Sequence, residues 1–243
     1  MVTVENKDCL ELLKTIETNT VDLILIDPPY LISRNSGFKK TSNIKEEYKK
    51  KYGNYSIDFG EWDHRELDWC SILTESYRVL KSNGTLLCFY DIWKFGDLKG
   101  KAEQVGFKQP RIGCWNKTNP VPINSKLNYL TNAKEYFVTF VKRSKPVFHS
   151  HYDTGDYYVS QEAQSDTYYY PIVHGQERKA HPTQKPLLLI SELVKKHSVE
   201  DALVLDFFAG TGTTGVACKN LGRNCILGEI NPEYVDIIKQ RLA

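Results

Sequence analysis

Apolar residues gather into short runs, and segments with helical spacing separate those runs. Val2-Thr3-Val4-Glu5 reads as a short strand, followed by a helix from Cys9 to about Glu17. Val21-Asp22-Leu23-Ile24-Leu25-Ile26 is a nearly unbroken apolar run, the signature of a buried parallel strand. Leu67 to Leu80 has helical spacing, with Leu67, Ile72, Leu73, Val79 and Leu80 as core candidates. Gly84 opens a strand from Thr85 to Tyr90, and Phe95 to Val105 fits a helix ended by Gly106. Arg111 to Trp115 and Tyr136 to Val141 are two strands with no helix between them, which predicts an antiparallel hairpin. Leu187 to His197 resumes a helix, with Leu188, Leu189 and Val194 as buried candidates. A strand from Ala202 to Asp206, a helical stretch from Val216 to Leu221 and a strand from Asn224 to Gly228 complete the pattern. Strands alternating with helices predict an α/β fold, a mainly parallel, doubly wound sheet covered on both faces.

Two segments break the alternation. Residues 31–63 are polar and aperiodic, with Gly37, Gly53 and Gly60, and read as a mobile loop. Residues 144–180 hold Tyr152, Tyr157, Tyr158, Tyr168, Tyr169 and Tyr170 together with several acids. Those tyrosines suit either a local packing cluster or contacts to a ligand.

The chain has 243 residues, enough for a single α/β domain, and 41% of them are hydrophobic. No run reaches the ~18 apolar residues of a membrane span, and no secretory signal precedes Val2, so a cytoplasmic protein is expected. Cys9, Cys70, Cys88, Cys114, Cys218 and Cys225 include no Cys-x-x-Cys pair, which predicts reduced thiols. His149 and His151 read as a solvated pair, so no metal is expected. The net charge of +2 hides an asymmetry. Residues 31–55 carry a net +5, including Arg34, Lys39 and Lys40, and residues 111–145 a net +6, including Lys117. Solvated basic surfaces are the plain reading. Their placement, one directly after Tyr30, favours a phosphate backbone as partner.

Asp27-Pro28-Pro29-Tyr30 closes the most apolar strand. The prolines fix the backbone and remove donors. A carbonyl can then stand beside the Asp27 carboxylate as a second acceptor, a pair that suits an exocyclic amino group. Tyr30 offers a face on which a base can stack. A strand ending in a proline turn is the bland alternative. At the other end of the chain, Asp206-Phe207-Phe208-Ala209-Gly210-Thr211-Gly212-Thr213-Thr214-Gly215 joins a strand to a helix. Gly210 and Gly212 permit a tight turn and close approach of a ligand, and Glu229 lies 17 residues beyond Gly212. That order and the nearby ~20-residue offset of a ribose-binding acid signal a nucleoside-bearing cofactor. Gly210, Gly212 and Gly215 stand in Gly-x-Gly-x-x-Gly spacing, although Thr213 and Thr214 are bulkier than a pyrophosphate cradle prefers, and there is no Gly-Lys-Ser/Thr of a P-loop.

Together these motifs resemble the beta-class S-adenosylmethionine-dependent DNA amino-methyltransferases. His181-Pro182-Thr183-Gln184-Lys185-Pro186 and Asn116-Lys117-Thr118-Asn119-Pro120 are similar to further segments of the family. The catalytic motif precedes the glycine motif, the permuted order of that class. Asp206-Phe207-Phe208 departs from the family, which more often has proline after the acid. The resemblance implies a Rossmann-like methyltransferase fold with seven strands in one sheet, the hairpin its one antiparallel element. It implies S-adenosylmethionine as cofactor and double-stranded DNA as substrate. The polar loop at 31–63 then becomes a DNA-contacting element, and 144–180 a target-recognition insertion. The catalytic candidates are Asp27, Pro28, Pro29 and Tyr30. The cofactor-binding candidates are Asp8, Cys9, Thr183, Lys185, Asp206, Phe208, Ala209, Gly210, Thr211, Gly212, Thr213, Glu229 and Ile230. Asp8 is placed on the cofactor adenine, Thr183 and Lys185 on its carboxylate, and Glu229 on its ribose. Arg34, Lys39, Lys40, Lys117 and Asn119 are expected on the nucleic acid.

The expected product is N6-methyladenine in a flipped base, because the first motif residue is aspartate. Cytosine N4 methylation is the enzymatic alternative, and an inactive DNA-binding module retaining the fold is the alternative of another class. A nicotinamide dehydrogenase leaves Asp27 to Tyr30 unexplained. A homodimer and a separately acting restriction endonuclease are partners the family admits, in a bacterial, archaeal or phage-encoded setting.

Overall fold

The most apolar runs of the chain lie side by side. In a computed structural model that describes residues 1–30, 67–120, 132–143, 145–148, 164–178 and 183–243, eight strands form one sheet. They are β1 (Val2–Glu5), β2 (Val21–Ile26), β3 (Leu80–Phe89), β4 (Lys108–Lys117), β5 (Lys134–Val141), β6 (Thr167–Tyr170), β7 (Leu203–Asp206) and β8 (Asn224–Gly228). Their order is β1-β8-β7-β2-β3-β5-β4-β6. β2 and β7 have almost no exposed side chain and lie in the middle, as parallel strands covered on both faces must. β5 alone runs against its neighbours, antiparallel to both β3 and β4, so one strand accounts for the whole antiparallel part.

The expected sheet had seven strands, and the eighth is β6. Thr167 to Tyr170 extends the edge by pairing parallel to Cys114–Lys117. This pairing joins residues about fifty apart in sequence, which local periodicity does not report. Leu188 is a second correction. It is 68% exposed, whereas Leu189 and Val194 on the same helix are fully buried. The burial stripe of that helix passes through Leu189, Ile190, Leu193 and Val194 and leaves Leu188 on the solvent side. β3 also begins five residues earlier than Thr85, with an irregular register opposite Val21–Leu23. A side chain at Gly84 would stand 3.0 Å from the Lys81 carbonyl, so glycine is what the bulge admits.

The helices are α1 (Cys9–Thr15), α2 (Trp69–Val79), α3 (Phe95–Val105), α4 (Leu187–His197), α5 (Thr213–Asn220) and α6 (Pro232–Leu242). α1, α2 and α3 pack as one group, and α4, α5 and α6 as another. α6 was not expected. Asn231 caps it by accepting from Glu233 N at 2.9 Å, Pro232 takes the first turn, and Val235 and Ile238 face the core. No helix among the described residues is long and apolar enough to cross a membrane.

The chain divides into two compact units, Met1–Pro28 with Trp69–Ala243, and Pro29–Asp68. In the second, Pro29, Tyr30, Leu67 and Asp68 are described. The loop expected over 31–63 therefore lies outside the described residues, and Arg34, Lys39 and Lys40 with it. Of the insertion expected over 144–180, residues 145–148 and 164–178 are described.

Candidate active site

The register of the sheet brings the two sequence motifs together. β2 pairs parallel with β7 through Leu23–Val204 and Ile24–Leu205, and with β3 through Ile26–Cys88. Asp27 and Asp206 thus end adjacent strands on the carboxyl edge, where open α/β sheets bind ligands. Pro28 is buried, and the Asp27 side chain keeps 25% of its surface. Pro29 and Tyr30 follow in the chain.

Asp27 Oδ2 accepts from the ammonium of Lys185. Lys185 is buried just before α4, and its Nζ also lies 3.2 Å from Glu135 Oε2 and 5.0 Å from the centre of the Phe89 ring. Glu135, on β5, receives a second cation, Lys117 of β4, at 2.8 Å. Four alternating charges therefore run from the motif across the sheet. Burial alone would push the Lys185 ammonium down, but Asp27 and Glu135 more than reverse this and hold it above the usual lysine range. Burial likewise opposes the Glu135 charge, and Lys185 and Lys117 overcome it to hold its carboxyl below the usual range.

The glycine turn sits on β7. Gly210 and Gly212 have φ of 53° and 78°, left-handed values that side chains resist. Gly212 caps α5, which starts at Thr213, three residues before the expected helical stretch. A Cβ on Gly212 would lie 2.8 Å from Ile238. Arg241 of α6 braces the turn from outside, donating to the Thr211 carbonyl at 2.6 Å and to Thr213 Oγ1 at 3.3 Å. Ala209 N donates to the Gly228 carbonyl at 3.0 Å, tying the turn to the end of β8. Phe207 is buried and Phe208 half-buried, their rings 5.2 Å apart. Phe207 fills the core at the position where the family more often has proline.

Glu229 follows β8. Its Oε2 accepts from Gly210 N at 2.8 Å and its Oε1 from Asn231 N at 2.9 Å. Each carboxylate oxygen offers about two lone-pair sites, so these bonds leave capacity for hydroxyl donors. Burial pushes its carboxyl up, and the backbone donors resist the rise. Asp206 is more deeply buried. It accepts from Phe208 N at 3.0 Å, and burial lifts its carboxyl to about 7 despite that bond and one from Thr214. Asp27 and Glu229 both add to the lift, which places all three acids in one electrostatic neighbourhood.

Asp8 caps α1 by accepting from Leu10 N at 2.9 Å. Cys9 beside it is buried, and burial followed by the Asp8 charge pushes its thiol up to about 12, so it stays a neutral apolar contact. Ile230 is 54% exposed next to Glu229. Thr183 is exposed, two residues before the buried Lys185. Lys117 and Asn119, expected on nucleic acid, both have protein partners. Lys117 serves Glu135 and the Trp115 ring, and Asn119 Oδ1 accepts from Ile172 N at 2.6 Å.

Sequence reasoning missed three supporting residues. Asn6 Nδ2 donates to the carbonyls of Glu229 and Ile230 at 2.8 and 3.0 Å, fixing the cofactor-side acid. Glu135 completes the Lys185 site. Glu177 caps α4, its Oε1 accepting from Leu187 N at 2.8 Å. Asn6 was the most findable, since it directly ends a strand. Glu135 and Glu177 act across breaks in sequence that carry no local signal.

A parallel sheet with a left-handed glycine turn, a buried acid after the next strand and an acidic mouth on the adjacent strand defines a Rossmann-like methyltransferase fold. The glycine turn after β7 and the lone pairs of Glu229 fit a nucleoside cofactor. The sequence model of the DNA methylase family matches residues 21–240. The chain is 33% identical over 256 residues to the type II methyltransferase M.HinfI of Haemophilus influenzae, covering 99% of this chain and 68% of that protein. It is 31% identical over 246 residues to the type II methyltransferase M2.MboI of Moraxella bovis, covering 96% and 85%. Among solved structures, M1.HpyAVI in complex with S-adenosylmethionine matches with a TM-score of 0.71 at 23% identity, over 100% of this chain and 99% of that one. PvuII DNA methyltransferase, cytosine-N4-specific, matches with a TM-score of 0.72 at 21% identity, over 100% and 88%. The structural likenesses show the fold. The chain belongs to the DNA methylase family: it is a beta-class amino-methyltransferase, and its cofactor is S-adenosylmethionine.

Proposed function

We propose that this protein methylates adenine N6 at a specific site in double-stranded DNA. The observation that supports this most directly is the position of Asp27, partly exposed at a strand end beside the glycine turn and held by a buried cation. The bound cofactor supplies an activated methyl group on a sulfonium. An aromatic amine donates its lone pair into its ring and is a weak nucleophile. Asp27 and the Pro28 carbonyl accept its two N–H bonds and favour a more tetrahedral nitrogen, whose lone pair is then free to attack. The nitrogen loses its proton after methylation makes it acidic. Positioning and preorganised acceptors carry the step.

The amine is out of reach within a duplex, so the base is flipped at a cost of a few kcal/mol, which stacking on Tyr30, typically ~1–3 kcal/mol, offsets. In this reading Glu229 receives the ribose hydroxyls, Asp8 the cofactor adenine, and Ile230 and Phe208 pack on the cofactor. Arg34, Lys39 and Lys40 meet the phosphates. A homodimer, a separately acting restriction endonuclease and a cytoplasmic setting belong to the same reading, in keeping with the type II names of the relatives.

The rival product is N4-methylcytosine, because the same pair of acceptors suits either exocyclic amine. Incubation of duplex DNA with methyl-labelled cofactor, followed by digestion to nucleosides and mass spectrometry, separates them. N6-methyl-2′-deoxyadenosine that disappears with Asp27→Ala is the expected result. Label in cytosine establishes the rival, and full activity of Asp27→Ala removes Asp27 from the mechanism.

A further inference from the structure

We infer that Lys185 is a positioning residue for Asp27, with Glu135 as its counter-charge, and that it does not hold the cofactor carboxylate. The inference rests on Asp27 being the acceptor of the target amine. Lys185 Nζ is in ion-pair contact with Asp27 Oδ2 and with Glu135 Oε2, and lies over the Phe89 ring. An ammonium has three donors, and two carboxylates already engage this one. Its side chain is 6% exposed, so releasing it towards another anion would take from Asp27 and Glu135 a cation that both contact in a largely buried site.

The chemistry explains why a cation belongs there. Asp27 works only as an acceptor. A protonated carboxyl would present an O–H to the amine and lose one of the two bonds that reshape the nitrogen. A negative charge near it pushes towards protonation. Asp206 on β7 bears on it electrostatically when ionised, whereas burial keeps the Cys88 thiol of β3 neutral, so that it adds no charge. Glu135 on β5 stands behind Lys185, with Lys117 of β4 behind that. Lys185 is the cation among them that touches Asp27. It keeps the acceptor charged before the base arrives and fixes one of its oxygens. Glu135 tempers the field, so that Asp27 can still take up the proton released from the methylated nitrogen.

The tests are pH–rate profiles of single-turnover methylation and calorimetric titration with S-adenosylmethionine. In Lys185→Met the acid limb of the rate should move up by about 1–3 pH units, the usual effect of removing a cation from a carboxylate. Lys185→Arg should restore most of the wild-type profile. Cofactor affinity should stay within about twofold, far below the tenfold that about 1.4 kcal/mol represents. Glu135→Gln should move the limb the opposite way, to lower pH, because the charge that competes with Asp27 for Lys185 is then removed. That variant keeps the idea testable if Lys185→Met does not fold. A large loss of cofactor affinity with an unmoved acid limb would return Lys185 to the cofactor carboxylate. An acid limb unmoved in Glu135→Gln as well would end the inference. If Asp27→Ala itself stays active, the reading of Asp27 has failed. If Asp27→Ala is inactive while both profiles match wild type, only the assignment of Lys185 has.

Discussion

Single residues at the glycine turn set conditions that can be separated by mutation. Gly212 combines a left-handed backbone with a Cβ position 2.8 Å from Ile238. Gly212→Ala should therefore cost about 2–3 kcal/mol from strain and overpacking combined. Gly100→Ala is the matched control, since Gly100 is inside α3 with open space at its Cβ position. There alanine should stabilise by about 0.5–1 kcal/mol. Urea midpoints of the two variants decide the point, and equal shifts would mean the turn is not strained. Glu229→Ala removes the acceptor of Gly210 N as well as the proposed ribose ligand. Calorimetry should show cofactor affinity falling about 10–100-fold, the worth of a lost charged hydrogen bond. Asp27, the glycines and Glu229 were all legible in the sequence, because each ends or follows an apolar strand. The Lys185–Asp27 contact was not, because it joins positions 158 residues apart.

At the scale of elements, α4 and β6 are joined by a polar strap inside an apolar setting. Lys196 has a side chain only 2% exposed, contacts Glu192 at 3.0 Å, donates to the Tyr168 hydroxyl at 3.1 Å and lies 4.3 Å over that ring. Tyr170 donates to the other Glu192 oxygen at 2.6 Å. The tyrosines of this region are thus partly a packing cluster, with Tyr169 between them 63% exposed. Glu192→Ala leaves a buried ammonium without its carboxylate and should cost about 2–3 kcal/mol, below the full penalty of a buried pair because Glu192 is partly solvated. Lys196→Met keeps the volume and should cost under about 1.5 kcal/mol. Thermal unfolding of both variants checks the order, and a larger loss for Lys196→Met would contradict it. The helix Phe95–Val105 was readable to the residue because Gly106 ends it with φ 115°. β6 was not, because its register is set by β4 rather than by its own short sequence. α6 carries an Asn-Pro signal at its start, in Asn231 and Pro232.

Across the whole molecule, two buried groups give the stability opposite responses to pH over nearly the same range. His197 is buried with no hydrogen-bond partner for Nδ1 among the described residues, and burial, helped by Lys196, lowers it from 6.5 to about 4. Below pH 6.5 the unfolded chain therefore binds a proton that the folded one refuses. This contribution fades as pH falls and amounts to about 3 kcal/mol by pH 4. Asp206 is raised by burial from 3.8 to about 7, so the folded state keeps a proton that the unfolded chain releases. Its contribution is present below pH 3.8 and is lost as pH rises towards 7, about 4 kcal/mol in all. The two slopes nearly cancel, and the wild-type urea midpoint should vary little between pH 4 and 6.5 from these groups. His197→Leu removes one slope, and stability should then fall as pH rises through that window. Asp206→Asn removes the other, and stability should rise with pH instead. Opposite slopes in the two variants would show that each group is displaced independently of the other. Parallel slopes would mean that neither group is displaced in the folded state.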